Sequence, residues 1–413
     1  MLLTEKYNDF KFGVVNSIEP SEIPKEAVNK SQNVYYRENR WRKLPGLVEI
    51  NAATLSANPV WGLYKHHLVV PNDSFVLAYS GSDLFKYDIQ TKTFSSIYSP
   101  MSLNSQIEFL EFPPSLYFGS KNDLWRRWDG TTITYPVGGD NGLAADAPRK
   151  FSKIVFNPYA GRFFGIGKIG DDDLMYYSAH IDNEGMEKWP DGNTQIIESV
   201  NGDTPREIIV FEGTNTLFNQ NSISSGSVVG SPSNWRFQRE KSQTGAIAGR
   251  TVKRYGSRVF MLSPEFEVYE WPTDKFITKG RVKFSINPNR AYLACAEIVE
   301  NRYYYICFES GEAVSSNKYH LWIYDILGDT WSGPHKQYNL TSMFWDKDTN
   351  LLLTGGSDNL NGFVMEHRGK NIKNAVSSVH WVNGYNFQGD SRLDKRYSQF
   401  RIKAKQEGTL PLT

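Results

Sequence analysis

The chain reads as an all-β protein, a ring of propeller blades, and three observations carry that reading. A strand–turn–strand unit occurs twice about 40 residues apart, aromatic residues supply 14% of the composition, and no long stretch has the apolar spacing of an amphipathic helix. The repeat is plain in the residues. Leu77-Ala78-Tyr79-Ser80-Gly81-Ser82-Asp83-Leu84-Phe85-Lys86-Tyr87-Asp88 returns as Leu116-Tyr117-Phe118-Gly119-Ser120-Lys121-Asn122-Asp123-Leu124-Trp125-Arg126-Arg127-Trp128-Asp129. Each copy is an aromatic run, a turn rich in Gly, Ser, Asn and Asp, and a second aromatic run closed by Asp. A single blade cannot bury both of its faces, so the repeat implies a closed ring.

From Trp61 onward the same grammar recurs. Ile154-Val155-Phe156 turns at Asn157-Pro158-Tyr159-Ala160-Gly161 and returns as Arg162-Phe163-Phe164, with Asp173 to Ser178 behind it. Ile208 to Phe211 precedes Thr216-Leu217-Phe218. Arg258 to Leu262 precedes Phe266 to Trp271, Tyr303 to Phe308 precedes Leu321 to Asp325 and Trp331, and Leu351 to Gly356 precedes Gly362 to Met365. One anchor per unit (Leu84, Leu124, Leu174, Leu217, Val268, Trp322, Phe363) gives about seven blades, with six or eight still open. The expected organisation is an extended docking segment over 1–50, the propeller over 51–366, and a basic β segment over 367–413. The two end segments are expected to pack together outside the ring as an attachment region.

Charge is balanced overall at +1, which advertises no polyanionic partner for the molecule as a whole. It is uneven along the chain. His367 to Lys405 holds nine Lys and Arg against two acids. No apolar run is long enough to span a bilayer and no signal peptide opens the chain, so neither is expected. Cys295 and Cys307 flank a hairpin turn, face each other across a strand pair in this reading, and are expected to be buried free thiols.

Each chemistry-bearing motif has a structural explanation beside it. Gly165-Ile166-Gly167-Lys168-Ile169-Gly170 matches a dinucleotide fingerprint in letters, yet Asp171-Asp172-Asp173 follow where phosphate would sit and no helix pattern begins. Asp346-Lys347-Asp348-Thr349-Asn350 resembles the opening of a calcium loop but lacks the mid-loop Gly and closing Glu, so it reads as a turn. Seven scattered histidines form no metal-ligand spacing, and no nucleophile elbow or phosphate loop is present. Carboxylates from remote strands could meet across a ring, as glycoside cleavage would need, but nothing in the sequence nominates a pair. Basic residues interleave with aromatics at Tyr35-Tyr36-Arg37, Arg40-Trp41-Arg42, Trp125-Arg126-Arg127-Trp128 and Trp235-Arg236-Phe237. That pattern suits nucleic-acid stacking, and equally a strand with one wet face. No catalytic residue, metal ligand or cofactor is expected.

The opening Phe12-Gly13-Val14-Val15-Asn16, Ile23-Pro24, Gln32-Asn33-Val34 and Arg42-Lys43-Leu44-Pro45-Gly46 resembles the start of tailed-bacteriophage tail nozzle and packaged-DNA-stabilisation proteins. Ala144 to Arg149, Tyr176-Tyr177-Ser178 with Trp189, Ile209 to Phe211, Arg258 to Ser263, Trp322 to Asp325 with Trp331, and Lys395-Arg396-Tyr397 follow in the same order. The resemblance implies a non-enzymatic virion protein, made in the host cytoplasm and placed in the tail. It implies a homo-oligomeric ring, usually a hexamer, below the portal and adaptor, lining the conduit through which the genome leaves. Tail fibre or spike proteins, and transient viral DNA in the lumen, are the other implied partners. Arg40, Trp41, Arg42, Arg392, Lys395 and Arg396 are the expected interface residues. The competing function is a propeller-type glycan-binding module or glycan-active enzyme.

Overall fold

The structure is a computed structural model. It describes residues 28–37, 40–67, 74–134, 150–181, 187–190, 192–198, 203–211, 213–242, 244–278, 285–312, 318–369 and 380–383. Seven four-stranded antiparallel sheets form a seven-bladed β-propeller. Blade 1 is Val60–His67, Ser74–Ser80, Asp83–Asp88 and Thr93–Tyr98. Blade 2 is Glu108–Phe112, Ser115–Gly119, Arg126–Trp128 and Ile133–Thr134. Blade 3 is Lys153–Asn157, Arg162–Ile166, Leu174–Tyr177 and Thr194–Ile196. Blade 4 is Pro205–Phe211, Thr214–Asn219, Ile223–Ser227 and Gln238–Arg239. Blade 5 is Lys253–Tyr255, Arg258–Leu262, Val268–Trp271 and Lys275–Phe276. Blade 6 is Cys295–Val299, Tyr303–Glu309, Tyr319–Asp325 and Thr330–His335.

Blade 7 corrects the expected boundary at residue 50. Its first three strands are Leu340–Asp346, Leu351–Gly356 and Val364–Gly369, but the fourth is Gly46–Glu49, from the other end of the chain. Met365 pairs with Glu49 and His367 with Leu47. The reason is the ring itself: sealing it non-covalently requires one sheet to hold strands from both termini, so residues 46–49 belong to the propeller. Leu47 is buried in the core shared by blades 6 and 7, among Tyr303, Tyr305, Leu321, Leu340 and Met365.

Between blades the cores are aromatic, because strands lie close enough for large flat side chains to interdigitate across facing sheets. At the blade 2–blade 3 boundary, Tyr117, Trp125, Phe151, Phe163 and Trp189 form one buried cluster, and the Trp125 indole donates to the Phe151 carbonyl at 2.9 Å. Trp331 of blade 6 donates to the Ile277 carbonyl at 3.1 Å and stacks on Tyr324. Buried indole N–H groups thus stitch one blade to the next. The turn in the first sequence repeat places Gly81 at φ +66°, a conformation glycine adopts without steric cost.

The motifs settle into structural roles. Gly165 lies in a strand, Gly167 and Gly170 in a loop where Lys168 pairs with Asp171. In the Asp346–Asn350 turn the Lys65 ammonium stands 2.8 Å from Asp346 and 3.3 Å from Asp348, filling the place a cation would take. Trp125, Trp128 and Trp235 are buried, Trp125 in the core toward blade 3 and Trp128 in the core toward blade 1, while Arg126 stacks over Tyr98 and Arg236 is exposed. Cys295 and Cys307 sit directly opposite each other on neighbouring strands as buried free thiols.

Candidate functional site

Two places hold the residues from which a function can be argued: the ring axis and the seam where the chain ends leave the ring. The first strand of every blade is innermost, so side chains at one level of those strands converge on the axis. At that level stand Leu63, Glu108, Lys153, Glu207, Lys253, Glu297 and Ser342, one per blade, around a cavity of about 270 Å³. Their separations of 45, 45, 54, 46, 44 and 45 residues follow the blade period. Sequence reasoning passed over them. The available signal was a charged residue near the start of five of the seven inner strands at blade spacing, as in Glu108-Phe109-Leu110 or Lys153-Ile154-Val155.

Across blades 2 to 6 the signs alternate. Lys153 lies 2.9 Å from Glu108 and 3.5 Å from Glu207, and Lys253 lies 3.3 Å from Glu297. Arg250, on the short 3-10 turn Gly249–Thr251 before blade 5, spans the axis. Its Nε meets Glu108 at 2.7 Å, and its terminal nitrogens donate to the carbonyls of Trp61 and Ile107. Blade 5 is thereby pinned to blades 1 and 2. Three carboxyl groups face three cationic groups around the cavity.

The two carboxylates on Lys153 titrate far apart. Burial pushes Glu207 up to about 7, the nearby Lys153 opposing this and the Glu108 charge adding to it. Burial would raise Glu108 as well, but Lys153 and Arg250 outweigh it and hold that carboxyl down to about 2. Burial would lower Lys153, yet Glu108 and Glu207 together raise it. A split pair of this kind is what acid–base chemistry uses. Here both Glu108 oxygens are taken, one by Arg250 and one by Lys153, so the group acts as a clasp between blades. Among the described residues no group of three His, Cys, Asp or Glu could hold a metal ion.

At the seam, the chain runs along the outside of blade 6 before entering blade 7. Strand Val28–Gln32 pairs antiparallel with His380–Asn383, Val28 opposite Asn383 and Gln32 opposite His380. Asn33, at φ 59°, turns the chain into a hairpin of Val34–Arg37 and Arg40–Lys43. Both elements are tied to the outer strand of blade 6. Gly333 N–H donates to Ser31 Oγ at 3.0 Å, Asn33 N–H to His335 Nδ1 at 2.9 Å, and the Tyr338 hydroxyl to the Pro45 carbonyl at 2.8 Å. Tyr35 meets Tyr303 edge-on at 5.6 Å. Burial holds His335 down to about 3, leaving it a neutral acceptor for Asn33.

Of the expected interface residues, Arg40, Trp41 and Arg42 share the second strand of this hairpin, and Arg42 is exposed. Arg392, Lys395 and Arg396 lie outside the described residues.

No protein-family model matches the chain, and no curated protein does either. Among solved structures, the chain is similar to PorZ, a surface component of the type-IX secretion system of Porphyromonas gingivalis. The TM-score is 0.45 and the identity 10%, over 73% of this chain and 36% of that one, so this chain spans about a third of that protein. It is also similar to a chain of the mitotic checkpoint complex, with a TM-score of 0.43 and 9% identity over 78% of this chain and 96% of that one. Similarity at this level carries no argument about function.

Proposed function

We propose that the chain is a non-catalytic structural subunit of a larger assembly, namely a ring component of a tailed-phage tail nozzle below the portal and adaptor. One observation carries the reading: Val28–Gln32 and His380–Asn383, from the two ends of the chain, meet as a two-stranded sheet that, with the following hairpin of Val34–Arg37 and Arg40–Lys43, lies on the outside of blade 6. Seven four-stranded blades close the ring without these two sheets, so the sheets are appendages to the propeller rather than part of its sealing. The ordered series of short motifs resembling nozzle proteins supports the virion context. The axial cavity, at about 270 Å³, is too small for a duplex, so a genome conduit would lie between copies around a shared axis.

The test is assembly. Purified protein should form rings, alone or on a portal–adaptor complex, seen by light scattering and averaged electron micrographs. Trp41→Ala with Arg42→Ala should keep the thermal transition of the propeller while ring formation weakens at least tenfold, since Trp and Arg dominate interface hot spots. Unaltered protein that stays monomeric with and without portal rings would overturn the proposal, as would a double variant that assembles at the unaltered concentration.

A further inference from the structure

Between blades 4 and 5 the interblade packing changes character. The second strand of blade 1 turns Phe75, Leu77 and Tyr79 toward blade 2, an apolar face like those elsewhere in the ring. In blade 4 the face toward blade 5 carries Phe218, then Thr216, then Thr214, by the two-residue alternation of a strand. Phe218 is buried and meets Trp271 of blade 5 edge-on at 5.9 Å. Beyond it the contact gives way to hydroxyls. Thr216 pairs across to Ser225 on the third strand, whose hydroxyl donates to the Glu240 carboxylate, so Thr214, Thr216 and Ser225 form a polar patch on a face that blade 1 fills with Phe75, Leu77 and Tyr79.

The space these small side chains leave is a cleft of about 390 Å³, within the range of small-ligand sites. One wall is aromatic. Phe211 and Trp271 pack against each other at a tilt, centroids 5.9 Å apart, both rings partly exposed, with Pro272 beside them. At the mouth, the exposed Arg254 guanidinium lies over the Phe211 ring at 4.2 Å. Bonds from Nε to the Gly256 carbonyl at 2.9 Å and from a terminal nitrogen to the Val210 carbonyl at 3.3 Å hold it there.

A flat partly exposed indole, a floor on which the two threonine hydroxyls donate and accept while Ser225, donating to Glu240, accepts, and one fixed cation select a particular chemistry. A pyranose has an apolar C–H face to lie on an aromatic ring and a rim of hydroxyls to meet Thr and Ser. A purely apolar ligand would leave the hydroxyl floor unsatisfied, which is costly once water is displaced. A phosphate-rich ligand would meet a single arginine. A carboxylate, by contrast, matches a guanidinium in geometry and charge.

We propose that the cleft between blades 4 and 5 binds an acidic saccharide, its ring against Trp271, its hydroxyls on Thr214, Thr216 and Ser225, and its carboxylate at Arg254. The site is independent of the assembly proposed above, because it is built within one chain.

Calorimetric titration of the full chain with trigalacturonate, and with maltotriose as the neutral counterpart, tests this. The acidic sugar should bind measurably and the neutral one at least tenfold more weakly. Thr214→Val with Thr216→Val, which preserves shape and removes two hydroxyls, should weaken trigalacturonate about tenfold with the thermal transition unchanged. Arg254→Gln, a surface change, should reduce trigalacturonate to the affinity of maltotriose, and serves if the double valine variant fails to fold. Absence of binding by either sugar at millimolar concentration would overturn the proposal. So would binding untouched by the valine pair, or equal affinity for the two sugars. None of these outcomes depends on whether rings form.

Discussion

Arg250 offers the most direct perturbation of the ring, because one side chain joins three blades across the axis. Replacing it with Met keeps the length and removes the charge. Glu108 then loses its 2.7 Å partner and keeps only Lys153, while the Trp61 and Ile107 carbonyls lose their guanidinium donors. Breaking one side of a buried pair costs about 3–5 kcal/mol. With Arg250 14% and Glu108 19% exposed, water reaches the orphaned groups and the low end applies, about 3 kcal/mol. Spread over the unfolding entropy of 413 residues, that lowers the melting temperature by about 4 °C. Thermal unfolding of Arg250→Met, Glu108→Gln and the double variant completes a cycle, and the coupling should be at least about 1.5 kcal/mol. Additivity to within about 0.5 kcal/mol, or a single-variant loss below about 1 kcal/mol, would refute the cross-axis brace.

Glu207 should govern a pH dependence: its folded pKa of about 7 lies above the ordinary glutamate value of 4.5, so the folded state holds the extra proton between those limits. Stability therefore falls as pH rises from 4.5 to 7, and urea titrations of Glu207→Gln should show that slope flattened. Leu47→Ala, at the closing strand, should cost about 2–5 kcal/mol by denaturant unfolding, since Leu47 is buried where the chain termini seal blade 7. Burial pushes the Cys295 thiol up to about 12 and raises Cys307 well above its ordinary range. Ellman's reagent should find no reactive thiol in the native protein and two after denaturation.

The ring and its seven blades were legible because tight turns and aromatic strands punctuate the chain at nearly regular intervals. Each of the seven anchors falls in a different blade. Leu84, Leu174, Val268 and Trp322 lie on third strands, Leu124 and Phe363 just before them. Leu217 instead lies on the second strand of blade 4, because the third, Ile223-Ser224-Ser225-Gly226-Ser227, is too poor in apolar residues to register as a strand. The closing strand was not legible: nothing local to Gly46–Glu49 reveals that its partner lies more than 300 residues away. The axial charges were readable only as a period, since any one Glu or Lys at a strand start passes for a solvated end.

The alternation at the axis has a consequence in parity. Seven is odd, so signs alternating strictly around a closed circle of seven positions must bring two like charges together somewhere. Here the circle is interrupted: Glu108, Lys153, Glu207, Lys253 and Glu297 run in sequence, and Leu63 and Ser342 occupy the two remaining places side by side. The frustration that an odd ring imposes is thus removed by a neutral gap at blades 1 and 7, the two blades between which the circle of the chain is closed. Arg250, entering from outside the alternation, then supplies the third positive charge that five alternating positions cannot provide.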